Sequence, residues 1–492
     1  MSLDRRHFLH GSLATLAGLH PGIQSWGQLI DNEPPGHEFL KGNYAPIHEE
    51  VTLDSLKVIG SIPKELDGMY VRNGPNPLII PKGAYHWFEG DAMLHGVSLH
   101  EGKASYRNRF IQTEGYLKEK AAGKKLYASL MEMPDMKEIM KGKNPFKNAA
   151  STALVWHAKK FLALYEGGKP YSVKLPSLDT EGEYDFNKKL QANFTAHPKV
   201  DPVTREMLGF AYAPQPVALF YQIARDGTWK STVPIKLDKA VMMHDFAVTP
   251  QYAIFYELPE TFELTRTFTG KPPWYFNEKL PSRFGVVARQ PDAQGKHVVK
   301  WFESKPCFIF HTLNAYEEGG NVVVQACRYH KFPGTIDGDS KSEKQHAVLY
   351  RWSFNMKTGQ VSEGPMDDAP TEFPRINDAL ALRSTKFGYC GTGEGDFFST
   401  MLKYELATGK KQAHPYGPGR FGGEGVFVAR PGSKDEDDGW LLNYVYDKAE
   451  NKSELVIVAT QDFTGKPVAR VLLPVRVPYG FHGAWVGREE FA

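Results

Sequence analysis

Residues 308–329 read FIFHTLNAYEEGGNVVVQACRY. Two strand-like runs, rich in β-branched and aromatic side chains, flank the turn signal Gly319–Gly320. A single histidine, His311, lies inside the first run among apolar neighbours. A titrating ring in such company needs a partner to tolerate burial. Two readings stay open for a lone histidine of this kind: a core residue with one hydrogen bond, or a ring bound to something.

The same pattern recurs along the chain. FLALYEGG, YAIFYELP, AVLYRWSF, GVFVARPG and ELVIVATQDF are short apolar or alternating runs, separated by turns rich in Gly, Asp, Asn and Pro. Strands of that length and spacing predict an all-β barrel, sandwich or propeller. No strict repeat is visible, although the number of runs suits a propeller with degenerate blades. With 492 residues the chain is long enough for two or three ordinary domains or one large repetitive β architecture. No low-complexity linker interrupts it, which favours one domain over residues 31–492.

Aromatic residues make up 13 % of the chain, with 46 Gly and 34 Pro, in keeping with many strands and tight turns. Lys plus Arg (59) nearly cancels Asp plus Glu (57), so nothing points to nucleic acid as a partner. Three cysteines without CxxC spacing argue against a disulfide framework or a thiolate zinc site. Seventeen histidines leave imidazole as the available metal ligand.

Two segments differ from the β pattern. Residues 1–30 contain Arg5 and Arg6 before Phe8 and Leu9, then a weakly apolar run, which resembles a twin-arginine export leader and implies the periplasm. Residues 116–146 hold helix formers, four Met and interspersed Lys, which predict one or two short amphipathic helices capping the β body. That cap is read either as an entrance touching membrane or apolar substrate, or as a helical excursion packed on the core. GPGRFG at 417–422 satisfies a dinucleotide pattern, but a strand and a turn follow it instead of a helix, so nucleotide binding is rejected.

Four histidines share the setting of His311: His197 in NFTAHPKVDP, His244 in VMMHDFAVTP, His311 itself, and His482 in PYGFHGAWV. They are spread over almost 300 residues, which suits convergence on one axis and not the compact spacing of a helical zinc site. His86 and His95, which bracket WFEGDAML, are read as structural. His157, His330 and His414 stand in polar or turn contexts and are read as solvated.

The segments GMYVRNGPNP, WFEGDAMLHG, TAHPKVDP, MHDFAVTPQYAIF, FHTLNAYEEGGNVVV, EDDGWLL, SELVIVATQDF and GFHGAW, in that order from about Ser61 to Val486, resemble the carotenoid cleavage oxygenase family. This family includes apocarotenoid- and lignostilbene-cleaving dioxygenases and proteins like the retinal pigment epithelial membrane protein. The resemblance implies a seven-bladed β-propeller with a helical cap over the tunnel mouth. It also implies Fe(2+) held by four imidazoles, here His197, His244, His311 and His482. Three glutamates that orient those rings match Glu166, Glu372 and Glu424. The implied reaction is O2-dependent cleavage of a conjugated C=C bond into two carbonyl products. In stilbene-cleaving relatives a Lys precedes the first glutamate and meets the phenol oxygen; Tyr165 takes that place here, which favours an apocarotenoid. The expected partners are an apolar conjugated molecule and O2.

Overall fold

In the stretch 308–329, strand Phe308–Glu318 pairs antiparallel with Asn321–Tyr329, and Glu318 faces Asn321 across a two-residue turn. Both turn residues have positive φ, 57° at Gly319 and 79° at Gly320. That geometry matches the right-handed twist of a hairpin, and glycine enters it without steric cost. Val348–Asn355 and Val361–Pro370 extend the hairpin to a four-stranded sheet.

The computed structural model describes residues 34, 36–130, 141, 144–269, 271, 273–333, 346–393 and 397–492. Among them the hairpin's sheet is one of seven antiparallel blades arranged as a β-propeller. The innermost strands include Ala153–His157, Lys199–Val200, Ala247–Val248, Phe308–Glu318, Glu372–Arg375, Val426–Ala429 and Gly483–Gly487, one from each blade. Neighbouring inner strands touch around the ring, as Gly483–Gly487 does with both Ala153–His157 and Val426–Ala429. The seven-bladed expectation from the family resemblance therefore holds. The absence of a visible sequence repeat follows from the strands themselves, whose lengths vary from two residues to eleven.

Two strands from opposite ends of the chain close the ring. Val58–Gly60 adds to the outer edge of the last blade through Ala469–Leu472. Gly483–Gly487 forms the inner strand of the first blade, against Gly68–Arg72. The segment before residue 60 also contributes Thr52–Leu53 to the first blade and two short 3-10 turns, His37–Leu40 and Gly42–Tyr44.

Apolar faces of adjacent blades form the core. The largest cluster joins Phe210, Phe246, Phe255, Phe284 and Trp352. Burying one such aromatic contributes on the order of 2–3 kcal/mol from area alone.

The cap differs from its sequence reading. Among the described residues the cap holds one helix, Glu114–Ala122, capped by the Thr113 side chain accepting from Tyr116 N–H. Its buried residues are Gly115, Tyr116 and Glu119, while Leu117 is exposed, so it is not amphipathic. Charge holds it instead: Lys147 Nζ sits 2.7 Å from Glu119 and 2.7 Å from Asp91 of the first blade. Residues 131–140 and 142–143 of the predicted cap lie outside the described residues, as does the predicted leader. Among the described residues no helix is long and apolar enough to cross a membrane.

Candidate active site

At one end of the inner strands the four singled-out imidazoles converge. His311 lies where the ladder of Phe308–Glu318 slips twice, between Ile309 and Thr312 and between Thr312 and Asn314. A bulge frees a residue from the regular in-out alternation, and here His311 joins the other rings. His197 and His244 stand just before the inner strands Lys199–Val200 and Ala247–Val248, and His482 just before Gly483–Gly487. Ring centroids of His197 lie 4.6 Å from His244, 5.3 Å from His311 and 4.7 Å from His482. His311 also lies 4.8 Å from His482 and 5.5 Å from His244.

His482 owes its place to two glycines. Asn73 N–H donates to the His482 carbonyl at 3.0 Å, and Phe481 N–H to the Asn73 carbonyl at 3.1 Å. This tight pairing brings Gly74 against Gly480: a Cβ on Gly480 would meet the Asn73 carbonyl oxygen at 2.8 Å and the Gly74 Cα at 3.0 Å. The sequence GMYVRNGPNP thus serves, through its Gly74, the distant PYGFHGAWV. Gly480→Ala is expected to cost about 1–3 kcal/mol by overpacking, read in urea unfolding, and to lower metal content through displacement of His482.

Each of three rings gives one nitrogen to a carboxylate. His244 Nδ1 lies 2.6 Å from Glu166 Oε2, His311 Nδ1 2.5 Å from Glu372 Oε2, and His482 Nδ1 2.9 Å from Glu424 Oε1. The structure brings together all four histidines and all three glutamates of the sequence reading. With Nδ1–H donated to a carboxylate, the proton leaves Nε2 bare, which is the metal-ligating tautomer. His197 has no such carboxylate; its amide donates to Thr195 Oγ1 at 2.9 Å.

Bare nitrogens facing one another are unfavourable without a cation between them. The Nε2 atoms of His197 and His244 are 3.0 Å apart, and the ligand nitrogens of His197, His311 and His482 lie within 4.8 Å of one another. Imidazoles bound at about 2.1 Å from one ion have nitrogen–nitrogen separations of about 3–4 Å, so the set fits a metal with slight contraction. Burial pulls the His197 pKa well below the usual imidazole range, and the three neighbouring rings add to this. Burial also lowers His482 against the pull of Glu424. At His311 burial acts downward, but Glu372 overrides it and raises the pKa.

Several supporting residues carry no sequence signal of their own. Tyr212 donates its hydroxyl to Glu166 Oε1 at 3.0 Å. Arg375 approaches Glu424 Oε2 at 3.1 Å and Asp378 at 2.7 Å. Burial pushes the Glu424 carboxyl up, yet Arg375 and His482 outweigh it and hold the pKa down at about 2. Asp245 receives Lys199 Nζ at 2.8 Å and Thr312 N–H at 2.8 Å, so the neighbours of three of the histidines are tied to one carboxylate. Phe373 occupies the left-handed region at φ 50°, inside the bulge between Glu372 and Arg375, with its ring 4.9 Å from His311 and 5.1 Å from His482. Strained backbone of this kind concentrates at functional sites.

An apolar cavity of about 290 Å³ opens on one side of the ring cluster. His244, His311 and His482 reach it, and Trp87, Phe88, Phe310, Phe397 and Phe481 supply much of its wall. Tyr165 lines it, as expected, and is buried. On the opposite side a chamber of about 520 Å³ runs along the inner strands and meets His197, His311 and His482.

A family model described as retinal pigment epithelial membrane protein matches residues 44–487. The chain belongs to the carotenoid cleavage oxygenase family. Among its curated relatives, a carotenoid 9,10(9',10')-cleavage dioxygenase 1 of Pisum sativum is 37 % identical, over 92 % of this chain and 91 % of the relative. A carotenoid cleavage oxygenase of Mycobacterium tuberculosis is 34 % identical, over 91 % and 97 %. Among solved structures, a Pseudomonas brassicacearum lignostilbene dioxygenase superposes with a TM-score of 0.85 at 30 % identity, covering 93 % of this chain and all of that one. A Synechocystis apocarotenoid oxygenase gives 0.82 at 27 %, with the same coverage. The enzyme reading stands on these oxygenase relatives.

Of the histidines outside the cluster, His95 is structural as expected, buried with Nδ1 2.8 Å from the Tyr106 hydroxyl. His86 accepts from Phe88 N–H at the start of a short turn. His330 is exposed. His157 and His414 correct the sequence reading: both are buried, held at 3.0 Å by the carbonyls of Arg205 and Phe463. Those carbonyls come from 48 and 49 residues away in sequence, beyond what a local polar context reveals.

Proposed function

We propose that this protein is a non-haem iron(II) dioxygenase that cleaves a C=C bond of an apocarotenoid-type polyene with O2. One alkene and one O2 give two carbonyl groups, so atoms and electrons balance without a further reductant. The observation that carries the reading is the convergence of His197, His244, His311 and His482, with three Nδ1 atoms fixed by glutamates, against an aromatic-walled cavity.

Imidazole suits zinc, copper, iron and nickel alike; zinc is redox-inert, and the O2 chemistry of the relatives selects iron. Bound by these four rings, Fe(2+) would supply the electrons through which O2 reacts with an alkene. The residues do the rest. Glu166, Glu372 and Glu424 keep the protons on Nδ1 and fix the ring orientations. Trp87, Phe88, Phe397 and Phe481 exclude water and hold a flat conjugated chain beside His311 and His482.

The choice of polyene over stilbene rests on the cavity wall. Among the described residues that line it there is no lysine or arginine, and Tyr165 stands before Glu166. A phenolate would enter this cavity without a cationic partner, whereas a hydrocarbon chain needs none. The test is incubation of iron-loaded protein with an apocarotenal and, in parallel, with a hydroxystilbene. Loss of the apocarotenal's absorption band with two carbonyl products supports the reading; turnover of the stilbene alone overturns the substrate class.

Two further expectations belong to the same proposal. Export is attributed to Arg5 and Arg6: replacing both by Lys is expected to retain the protein in the cytoplasm on fractionation of its host, and unchanged export would sink the leader. Contact with lipid is attributed to the cap surface, where Leu117 and Leu126 are exposed beside Lys118, Lys120 and Lys124. Flotation with anionic vesicles tests it.

A further inference from the structure

The ring of imidazoles separates two spaces of opposite character. The apolar cavity is walled mainly by aromatic side chains, and its carboxylates, Glu166 and Glu372, are those already bonded to His244 and His311. The chamber on the other side follows the propeller axis, bounded by Ala153–His157, Lys199–Val200, Ala247–Val248 and Gly483–Gly487 among the inner strands. Its wall carries Lys199, Asp245, Asn314, Arg375 and Glu424. At its far end stand Asp378, Ala379, Glu489 and Glu490, all exposed to solvent. Carboxylates thus mark both the mouth and the inner end, and three of the four imidazoles face the chamber.

We infer that this axial chamber, and not the apolar cavity, is the route by which the metal ion reaches and leaves the four imidazoles. The inference rests on the iron reading above. A divalent cation holds its water strongly, and stripping that shell in an apolar passage is costly unless ligands replace it at once. In the axial chamber water and carboxylate oxygens accompany the ion to the nitrogens that replace them. The opposite assignment holds for an apolar substrate, which loses nothing in the aromatic cavity. Separate routes let the metal be loaded while the substrate space stays dry.

The probe is Co(II), whose visible bands report four-imidazole coordination without any turnover. Uptake is followed after mixing Co(II) with metal-free protein, and release after adding a chelator to the loaded protein. Ala379→Trp places an indole at the mouth, on an exposed turn where the backbone N–H of residue 379 still donates to Asn377 Oδ1. It is expected to slow uptake and release together by about tenfold, a barrier increase of about 1.4 kcal/mol, with the final spectrum unchanged. Glu489→Lys reverses a charge at the mouth and is expected to slow uptake about threefold at low ionic strength, an effect lost near 1 M salt. Thr392→Trp, on the apolar side, is expected to leave both rates unchanged while obstructing substrate. Rates within about twofold of wild type in both mouth variants, or slowed exchange in Thr392→Trp, overturn the route. A wild-type protein that shows no cobalt bands, or bands that survive His311→Ala, would instead remove the metal reading beneath it.

Discussion

His311→Ala is expected to yield folded protein that retains almost no iron and cleaves at least about 1,000-fold more slowly, a loss of about 4 kcal/mol of transition-state stabilisation. The ring is not a bystander in a strand. Two successive slips in the ladder release it toward His197 and His482, and Glu372 fixes its Nδ1 at 2.5 Å. Alanine removes one of four nitrogens and also leaves the Glu372 carboxylate beside a void, still accepting from Phe373 N–H at 2.7 Å but without its ring partner, a loss of about 1–3 kcal/mol. The remaining three imidazoles then share their site with a stranded negative charge. Circular dichroism checks the fold, and a ferrous-chelate assay counts iron per chain. Retention of one iron with unchanged cleavage would remove His311 from the site.

Glu424→Ala is expected to do more damage than the equivalent change at Glu166 or Glu372. All three mutations free a ring nitrogen, and losing such an orienting carboxylate lowers metal affinity about 10–100-fold. Glu424 alone among them is the partner of a cation: Arg375 lies 3.1 Å from its Oε2, and Gly483 N–H donates to the same atom at 2.9 Å. Its removal leaves a half-buried guanidinium with only Asp378 as its acid, and breaking a pair whose carboxylate is buried costs up to about 3–5 kcal/mol. Thermal unfolding and iron content measured together separate the two effects. Glu424→Ala should lower both, whereas Glu166→Ala and Glu372→Ala should chiefly lower iron. Equal melting temperatures in the three variants would show that Arg375 finds its partners elsewhere.

How far the sequence alone reached differs between fold and site. Strand runs and turn residues make the β class legible, because pleated strands and hairpin turns impose their own composition. The blade number is not legible that way: no repeat survives in strands of two to eleven residues, and ordered family motifs supplied it. The four histidines look alike locally, yet the residues around them do not distinguish a ligand from a core ring. The bulge that aims His311 and the left-handed Phe373 leave no mark in the sequence, since both depend on partner strands. Arg375, Tyr212 and Asp245 escaped notice because their partners lie 46 to 67 residues away. The described cap helix departs from the expected apolar stripe for a related reason. It is anchored by Lys147 through Glu119 and Asp91, an arrangement invisible to a search for an apolar stripe.

The way the ring is laced bears on when the enzyme becomes competent during its synthesis. Strand Gly483–Gly487 docks beside Gly68–Arg72, made more than 400 residues earlier, and His482 arrives on the same segment. A ribosome that has delivered every strand up to Ala469–Leu472 has therefore delivered only three of the four imidazoles. The closing stitch and the last imidazole of the cluster are one event, so a chain stalled short of that point carries neither a locked propeller nor a complete ring of histidines.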